Sequence, residues 1–501
     1  MATTRLILGA PGTGKTTRLL EIMQAELSGG VTSRRLAFVS FTCKAVGEAV
    51  GRVGEKFGLT RNDLPHFRTV HAMCYRALGL SDRDVMSAGD YAKLADVMGV
   101  ELSGRYEAEE GLPVGGKEGD RLLFIDNLAR ARCVALEQQW HELDRPLPWH
   151  QLKQFSEALR AYKVDAGLMD YTDMLERFVA DCGPLDVAAA LVDEAQDLSQ
   201  LQWKVVRHAF TNAQRLFIAG DDDQAIYQWS GADVESFLNL KGGREVLGHS
   251  HRLPKLVKAT ASRVIGRVMR RFEKKFTARE DMGAVHWEPS PENVDLRCNG
   301  TWLLLARNQF LLSRLVALAR AQGVVYSTRD GNAVKQPHLL AIRAWTRLMR
   351  GESVSGHDVK EIYDLLRVGH GVTRGHKGCA KIDDEKEYNK EELKNNHGLF
   401  AEGIWHDALD GIDIETREYY LSVLRRGGKL GAAPTVHVST IHGAKGGEAD
   451  SVLLLTDLAG RTWEEMQRAP DGEHRVFYVG LTRAKQALHV VSPQSQRFYG
   501  I

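Results

Sequence analysis

Short apolar runs, each followed by a pattern typical of an amphipathic helix, recur along this chain. They cover residues 5–9, 36–40, 188–192, 215–220, 302–306, 435–439 and 452–456. Such alternation predicts parallel strands joined by crossover helices, which is the pattern of an α/β protein. Four runs precede residue 250 and three follow residue 300, so we expect two α/β cores in series.

Two long stretches between these runs have helical rather than strand patterns. We expect the first core at residues 1–85 and 185–249, the second core at 250–340 and 432–501, and mainly helical insertions at 86–184 and 341–431. The charged run at 381–396 carries almost no apolar residues with which to build a core, so a disordered loop is expected there.

Composition narrows the classes of protein that fit. A chain of 501 residues with 43% hydrophobic content is too long for one core. Lys+Arg 66 against Asp+Glu 65 leaves a net charge of +1, so any nucleic-acid groove must be a local feature. The six cysteines form no CxxC pair, which fits a reducing compartment without structural zinc.

The N-terminal apolar stretch is short and is interrupted by glycine, proline and lysine. It therefore does not have the pattern of a signal peptide or a membrane segment. We expect a soluble cytoplasmic protein, associated with a nucleoid or located in a host cytoplasm, with no membrane partner.

The segment GAPGTGKT at 9–16 satisfies GxxxxGK[ST] between a predicted strand and a predicted helix. In that setting backbone N–H groups hold phosphates, Lys15 neutralises the terminal ones, and the Thr16 hydroxyl ligates Mg²⁺. A glycine-rich turn without a ligand is the alternative. The pattern predicts ATP and Mg²⁺ as cofactors, with binding residues Gly9, Ala10, Pro11, Gly12, Thr13, Gly14, Lys15, Thr16 and Thr17.

An apolar strand at 188–192 ends in two adjacent carboxylates, Asp193 and Glu194. At the carboxyl end of a strand beside a phosphate loop, Asp193 would hold Mg²⁺ and Glu194 would act as general base toward the attacking water. Taken alone, such a pair is more often a solvated turn.

The next predicted strand leads into GDDDQAIYQWSGAD at 220–233. Gln224 would sense the terminal phosphate or the attacking water. Tyr227 and Trp229 lie in a turn-like setting, which suits stacking on bases, whereas core packing is the alternative for both rings.

Two arginines complete the expected catalytic set, Arg252 in HSHRLP and Arg483 in GLTRAK. We expect both in the second α/β core, where a cationic finger would make hydrolysis depend on closure. Surface ion pairing is the alternative for each.

Two further groups of residues are weaker candidates. The basic run at 262–276 predicts one helical face that is either solvated or follows phosphates, comprising Arg263, Arg267, Arg270, Arg271 and Lys274. His370, His376, Cys379 and His397 have no spacing typical of a metal site, and a surface loop is expected there.

In its order of motifs the chain resembles superfamily 1 helicases of the UvrD/Rep/PcrA type. The motifs are GAPGTGKTT, VSFTCKAV, TVHAMCYRAL, DYTDML, LVDEAQD, GDDDQAIYQWSGAD, HRLP, ARN, VSTIHGAKGGEADSVLL and YVGLTRAKQAL. The resemblance implies two tandem RecA-like P-loop motor domains with parallel sheets, each carrying a mainly helical inserted subdomain. ATP would bind between them and DNA would cross their tops.

The resemblance also implies roles for individual residues. Tyr227 and Trp229 would form the stacking platform, Arg18 would flank the adenine, and His251 and Glu448 would contact the nucleotide. The implied contacts to the DNA strand are Phe41, Thr42, Thr69, His71, Thr440 and His442.

The implied activity is that of an ATP-dependent 3′–5′ DNA helicase acting on single-stranded and tailed duplex DNA, together with replication or repair proteins. A translocase that strips proteins from DNA without unwinding, and a nucleotide-switched binding module, are the alternatives. No glutamine precedes Gly9, Ser230 replaces an arginine usual in the family, and the second insertion is short. We therefore expect the chain to hydrolyse nucleoside triphosphates. Strict selectivity for ATP and strong strand separation do not follow from the sequence.

Overall fold

The computed structural model describes residues 3–103, 106–107, 112–113 and 116–501. For Lys44 and for residues 106–107 and 112–113 it describes the backbone only. Residues 1–2 of the first expected core, and 104–105, 108–111 and 114–115 of the first expected insertion, lie outside the described residues.

The chain divides into two compact units. The first unit comprises Met1–Met282 and Glu465–Thr482, and the second comprises Gly283–Glu464 and Arg483–Ile501. Residues 250–282 therefore pack with the first unit, although the sequence pattern placed them in the second core. The chain passes from one unit to the other three times.

The elements up to residue 282 alternate between strands and helices, with a helical group in the middle. In chain order they are β1 (Thr3–Gly9), α1 (Lys15–Ser28), β2 (Leu36–Ser40), α2 (Cys43–Phe57), β3 (His66–Thr69), α3 (Val70–Ala77), α4 (Ala88–Met98), β4 (Tyr106–Glu107), β5 (Leu112–Pro113), α5 (Glu118–Ala131), α6 (Leu136–Glu142), α7 (Trp149–Ala166), α8 (Tyr171–Asp181), β6 (Ala189–Val192), α9 (Gln200–Ala209), β7 (Arg215–Gly220), α10 (Val234–Leu238), β8 (Gly243–Leu247) and α11 (Lys255–Ile265).

A six-stranded parallel sheet forms the centre of the first unit, in the order β3-β2-β6-β7-β1-β8. Every residue of β2 and β6 is buried, as expected for strands covered by helices on both faces. Ile218 of β7 pairs with Leu6 of β1 on one side and with Val192 of β6 on the other. The carboxyl ends of these three strands therefore meet at one edge of the sheet.

The expected first insertion is helical and has its own apolar core, which includes Leu122, Phe155 and Leu159. Arg130 of α5 pairs with Asp170 over 2.9 Å, and Asp170 also caps the N-terminus of α8 by accepting from the Asp173 backbone N–H. Lys163 of α7 pairs with Asp173 over 2.7 Å. This buried network holds three helices of the insertion together.

The remaining elements build the second unit and return one helix to the first. In chain order they are β9 (Ala284–Glu288), β10 (Trp302–Ala306), α12 (Leu312–Ala321), β11 (Tyr326–Thr328), β12 (Gly331–Asn332), α13 (Gln336–Met349), β13 (Val354–Ser355), α14 (Gly356–Asp364), β14 (Glu387–Tyr388), α15 (Lys390–Asn396), α16 (Trp405–Ala408), α17 (Ile414–Arg425), β15 (Val436–Thr440), β16 (Ala449–Leu455), α18 (Gly460–Arg468), α19 (Pro470–Leu481) and β17 (Ala484–Val491).

The second unit also centres on one sheet, in the order β12-β11-β15-β10-β16-β17-β9. Its pairings are parallel except that between β11 and β12. Helix α19 lies in the first unit, whereas Arg483, two residues after its end, lies in the second. The α/β class with mainly parallel sheets is confirmed.

The seven predicted strands are confirmed to within three residues at each end. The disordered loop expected at 381–396 is wrong, because β14 and α15 lie there and Tyr388 and Leu393 are buried. The helical face expected at 262–276 is also wrong, because α11 ends at Ile265. Among the described residues, no helix is both long and apolar enough to cross a bilayer.

Candidate functional site

The loop between β1 and α1 holds its shape through its own polar groups. Gly12 and Gly14 have positive φ values of 73° and 82°, which side chains with a Cβ rarely adopt. The Thr13 hydroxyl donates to the Ala10 carbonyl over 2.8 Å, and Lys15 Nζ donates to the Gly9 carbonyl over 3.0 Å. The lysine is therefore already folded over the loop that would hold a phosphate.

The segment from Ser250 to Arg252 rests directly on this loop within the first unit. Ser250 Oγ donates to the Pro11 carbonyl over 2.7 Å, and the His251 backbone N–H donates to the Gly12 carbonyl over 2.8 Å. A Cβ on Gly12 would lie 2.3 Å from the Cβ of Arg252. Arg252 and His251 are thus next to the phosphate loop, as a nucleotide contact requires.

The predicted metal ligands face each other at the carboxyl ends of β1 and β6. Thr16 Oγ1 donates to Asp193 Oδ2 over 2.8 Å. Asp193 is fully buried, and this burial, reinforced by the charge of Glu194, raises its pKa to about 7 against the opposing effects of Thr16 and Lys15. A bound cation would favour the ionised carboxylate, so these two oxygens suit a hard metal ion.

Glu194 connects this pair to the neighbouring strand. Its backbone is in the left-handed region, with φ 51°, which is strained for a residue with a side chain. Gln196 Nε2 donates to Glu194 Oε2 over 2.6 Å, and Gln196 Oε1 accepts the backbone N–H of Asp221 over 2.9 Å. The fully buried Gln196 thus links the predicted general base to the carboxyl end of β7.

Three consecutive carboxylates follow β7, at Asp221, Asp222 and Asp223. In the described part of the chain they form the one cluster of three or more Asp, Glu, His or Cys side chains whose ligand atoms are close enough together to hold a metal ion. However, Lys274 Nζ contacts all three, at 2.9 Å from Asp221 and 3.0 Å from Asp223. The buried ammonium of Lys274 therefore lies where a metal ion would otherwise bind. Lys274 is thus neither solvated nor available to contact phosphates, contrary to both sequence interpretations.

Arg18, which would flank the adenine, forms ion pairs on the surface of α1. Its guanidinium pairs with Glu245 of β8 over 2.7 Å and with Glu21 over 3.0 Å. Glu245 also pairs with Arg5 over 2.7 Å. The side chain is thus held against β8, on the strand next to the phosphate loop.

Two aromatic pairs lie beside the segment after β7. Tyr227 stacks on the buried Phe41 with ring centroids 5.8 Å apart, and Trp229 stacks on Phe124 of the insertion at 6.3 Å. Trp229 remains 44% exposed, so part of its side chain is accessible to solvent. Arg132 donates to the Gln228 carbonyl over 2.9 Å, which ties the insertion to this aromatic segment.

The other expected strand contacts of the first unit have structural roles as well. Thr42 and Thr69 cap α2 and α3, and accept the backbone N–H groups of Ala45 and Ala72. His71 is partly buried and packs edge-on against Tyr171 at 6.0 Å. Burial lowers the pKa of His71 to about 4, so its ring is neutral at physiological pH.

The predicted residues of the second unit gather around β15 and β16. Thr440 ends β15 and accepts the Gly443 backbone N–H over 3.1 Å. Glu448 is exposed just before β16. The buried Arg483 donates to the Gly447 carbonyl over 3.1 Å, and its own carbonyl accepts the Ala449 N–H. Arg483 therefore lies beside the segment that carries Glu448. His442 precedes Glu448 in the chain and is partly buried.

The second unit also carries an open groove beyond the carboxyl ends of its strands. Ala459 lines this groove and donates its backbone N–H over 2.8 Å to Asn308, which in turn donates to Thr462 over 2.9 Å. Phe310 is 62% exposed at the groove, and Trp463 and Arg497 also line it. Aromatic and basic groups together suit a polyanionic strand.

Comparison with known families decides the classification. The UvrD/REP helicase N-terminal domain matches residues 1–243, and the UvrD-like helicase C-terminal domain matches residues 421–495. The chain belongs to the UvrD/Rep helicase family. The two units are those expected of tandem RecA-like motor domains in this family.

Individual relatives carry helicase names. DNA helicase II of Escherichia coli (strain K12) is 25% identical over 272 residues, which is 48% of this chain and 35% of that protein. A probable DNA helicase of Mycoplasma pneumoniae is 27% identical over 523 residues, covering 98% of this chain and 81% of that protein. ATP-dependent DNA helicase Rep of Buchnera aphidicola is 24% identical over 145 residues, 26% of this chain and 22% of that protein. The match thus spans about a third of DNA helicase II.

Several residues of this UvrD/Rep site were absent from the sequence prediction. Gln196 carried a signal, because an amide side chain two residues after the carboxylate pair in DEAQD can reach back to Glu194. Phe124, Ser250 and Glu245 carried none, since their partners are distant in sequence. Lys274 was predicted only as part of the basic run at 262–276, and its pairing with the carboxylates after β7 had no sequence signal.

Proposed function

We propose that this chain is an ATP-dependent DNA helicase or translocase that moves 3′ to 5′ along single-stranded DNA and unwinds tailed duplexes. ATP and Mg²⁺ are its cofactors, single-stranded and tailed duplex DNA its substrates, and replication or repair proteins its partner class. The cytoplasm is the proposed compartment.

The observation that carries the proposal is a shared sheet edge. The phosphate loop, Asp193 and Asp221 follow β1, β6 and β7, whose carboxyl ends meet. The exposed Trp229 lies eight residues beyond Asp221 in the same segment. A hydrolytic site and a base-stacking ring are thus joined by one short stretch of chain, which suits a motor that couples the two.

In the proposed hydrolysis, Lys15 and the loop N–H groups bind the phosphates, and Thr16 and Asp193 hold Mg²⁺. Glu194 accepts a proton from the attacking water, and Gln224 orients that water. The arginines Arg252 and Arg483 stabilise charge on the transferred phosphoryl group, while His251, Arg18 and Glu448 contact the rest of the nucleotide.

In the proposed DNA site, Trp229 and Tyr227 stack on bases and Phe41 supports Tyr227 from behind. Stacking of about 1–3 kcal/mol per base is sequence-tolerant, which suits movement along any strand. Thr42, Thr69, His71, Thr440 and His442 are the proposed backbone contacts.

Hydrolysis is tested by steady-state ATPase assays with and without single-stranded DNA. We expect stimulation by DNA, and its absence would contradict the proposal. Lys15→Ala and Glu194→Gln should abolish turnover, whereas Lys275→Ala, which removes an exposed lysine, should not. Repeating the assay with GTP, CTP and UTP measures the base preference.

Polarity is tested with duplexes that carry a 3′ or a 5′ tail of DNA or RNA. Unwinding only from the 3′ DNA tail is expected, and a 5′ preference would refute the polarity. Displacement of streptavidin from a biotinylated strand without unwinding would instead favour the translocase alternative.

A further inference from the structure

A lysine ammonium lies at the centre of the acidic turn, defined as Asp221, Asp222 and Asp223. The Lys274 side chain is buried and contacts a carboxylate oxygen of each residue. The Phe272 backbone N–H donates to Asp222 Oδ2 over 2.9 Å, which fixes the segment that carries the lysine. Buried carboxylates require such partners, because an unpaired buried charge is costly.

Asp221 connects this ammonium to Gln224. Its Oδ1 lies 2.9 Å from Lys274 Nζ, and its Oδ2 accepts a hydrogen bond from Gln224 Nε2 over 2.7 Å. Burial alone would raise the pKa of Asp221, but the charges of Lys274 and Lys15 lower it below its usual value. The carboxylate therefore stays ionised, with both oxygens engaged.

We infer that Lys274 is a positioning residue for Gln224, because it fixes the Asp221 carboxylate that sets the orientation of the Gln224 amide. This inference rests on the proposed role of Gln224 toward the attacking water. An amide whose N–H₂ group is held by a carboxylate presents its carbonyl oxygen in one direction only. Asp221 Oδ1 also accepts the Asp223 backbone N–H over 3.2 Å, so loss of the ammonium would remove one of the groups that hold this carboxylate and would loosen the amide with it.

Arg271 provides a matched comparison within the same turn. Its guanidinium binds Asp223 through two nitrogens, with Nε at 2.7 Å from Oδ1. Arg271 and Lys274 both neutralise the acidic turn, but Lys274 contacts Asp221, whereas the Arg271 guanidinium binds Asp223. Removing either cation weakens the turn, whereas only removal of Lys274 should disturb Gln224.

The test compares full-length Lys274→Met and Arg271→Gln in ATPase assays at saturating DNA. We expect kcat to fall about tenfold to a hundredfold in Lys274→Met with KM for ATP unchanged, because misplacement of a catalytic group by a fraction of an ångström affects chemistry before binding. Arg271→Gln should keep kcat within about twofold. Equal losses of kcat in the two variants would overturn the inference.

A double-mutant cycle separates positioning from general damage. If Lys274 acts through Gln224, Lys274→Met should lower kcat little further in a Gln224→Ala background. If the two substitutions reduce kcat independently, so that their fold-reductions multiply in the double variant, the inference is overturned. If Lys274→Met does not fold, Lys274→Met with Asp222→Asn is compared with Asp222→Asn alone, since the isosteric amide removes the charge left unpaired.

Failure of the inference and failure of the proposed function give different results. Wild-type protein that does not hydrolyse ATP contradicts the proposed function and, with it, the role of Gln224. Wild-type protein that hydrolyses ATP, with Lys274→Met turning over equally fast, contradicts only the positioning role of Lys274.

Discussion

Thr16 Oγ1 and Asp193 Oδ2 are 2.8 Å apart. Both are oxygens, the ligand type that Mg²⁺ prefers in proteins. If Mg²⁺ binds here, the hydroxyl would turn its proton away from Asp193 and would keep it, so that both oxygens could face the metal ion.

Thr16→Val should raise the Mg²⁺ concentration needed for half-maximal ATPase activity, because the variant loses one of the two oxygens but keeps the shape of the side chain. Thr16→Ser keeps the hydroxyl and should behave like the wild type. Magnesium titrations of ATPase activity at fixed ATP check both. If all three proteins need the same Mg²⁺ concentration, the Thr16 hydroxyl is not a metal ligand.

Gly12→Ala should destabilise the protein more than Gly14→Ala. Both glycines have positive φ, which costs a residue with a Cβ about 1–2 kcal/mol. In addition, the new methyl at Gly12 would lie 2.3 Å from the Cβ of Arg252, whereas at Gly14 the nearest atom is Thr17 Cβ at 3.8 Å. Thermal unfolding of the two variants measures the difference, and equal melting temperatures would show that Arg252 can move away without cost.

Trp229→Ala should weaken binding of a short single-stranded oligonucleotide by about 1–3 kcal/mol, the contribution of one stacked base. Trp287→Ala is the control, because Trp287 is similarly exposed, at 55% against 44%, but lies on the edge strand β9. Fluorescence anisotropy with a labelled oligonucleotide gives both affinities. Equal affinities of the two variants would contradict a stacking role for Trp229.

Phe124→Ala should produce a smaller loss of affinity than Trp229→Ala, since Phe124 stacks on the tryptophan and would act through it. In a Trp229→Ala background the Phe124 substitution should have little further effect. The same anisotropy assay tests this, and additive losses would indicate an independent contact with DNA.

His71 should make stability depend on pH. Its pKa is lowered to about 4 in the folded protein, whereas an unfolded histidine titrates near about 6.5. Below pH 6.5 the His71 imidazole is protonated in the unfolded chain but stays neutral in the folded protein down to about pH 4. The free energy of unfolding therefore falls as pH is lowered. Between pH 7 and 5 the wild type should lose about 1–2 kcal/mol that His71→Gln does not lose. Denaturant unfolding at several pH values checks this, and parallel curves would contradict it.

The strands could be predicted from sequence because strands buried on both faces are nearly continuous apolar runs, as in β2 and β6. The phosphate loop and Asp193 could be predicted because each directly follows such a run. Short or exposed strands carry no such signal, and β8, with no buried residue, was missed for that reason.

Lys274 shows what sequence spacing could not reveal. Its intervals from the preceding arginines fit a helical face, but its partner Asp222 lies 52 residues earlier, so long-range charge pairing decides its position. The burial of Gln196 between Glu194 and Asp221 was hidden in the same way, because it depends on the adjacency of β6 and β7.

Helix α19 has a consequence for how the protein is made. It packs in the first unit, where Arg475 donates to the Asp222 carbonyl over 2.9 Å. A chain emerging from the ribosome therefore cannot complete its first unit until residue 482 has been synthesised, by which time nearly all of the second unit has also emerged. Until then the acidic turn lacks Arg475, so the nascent N-terminal region would offer an incomplete surface for chaperones to bind.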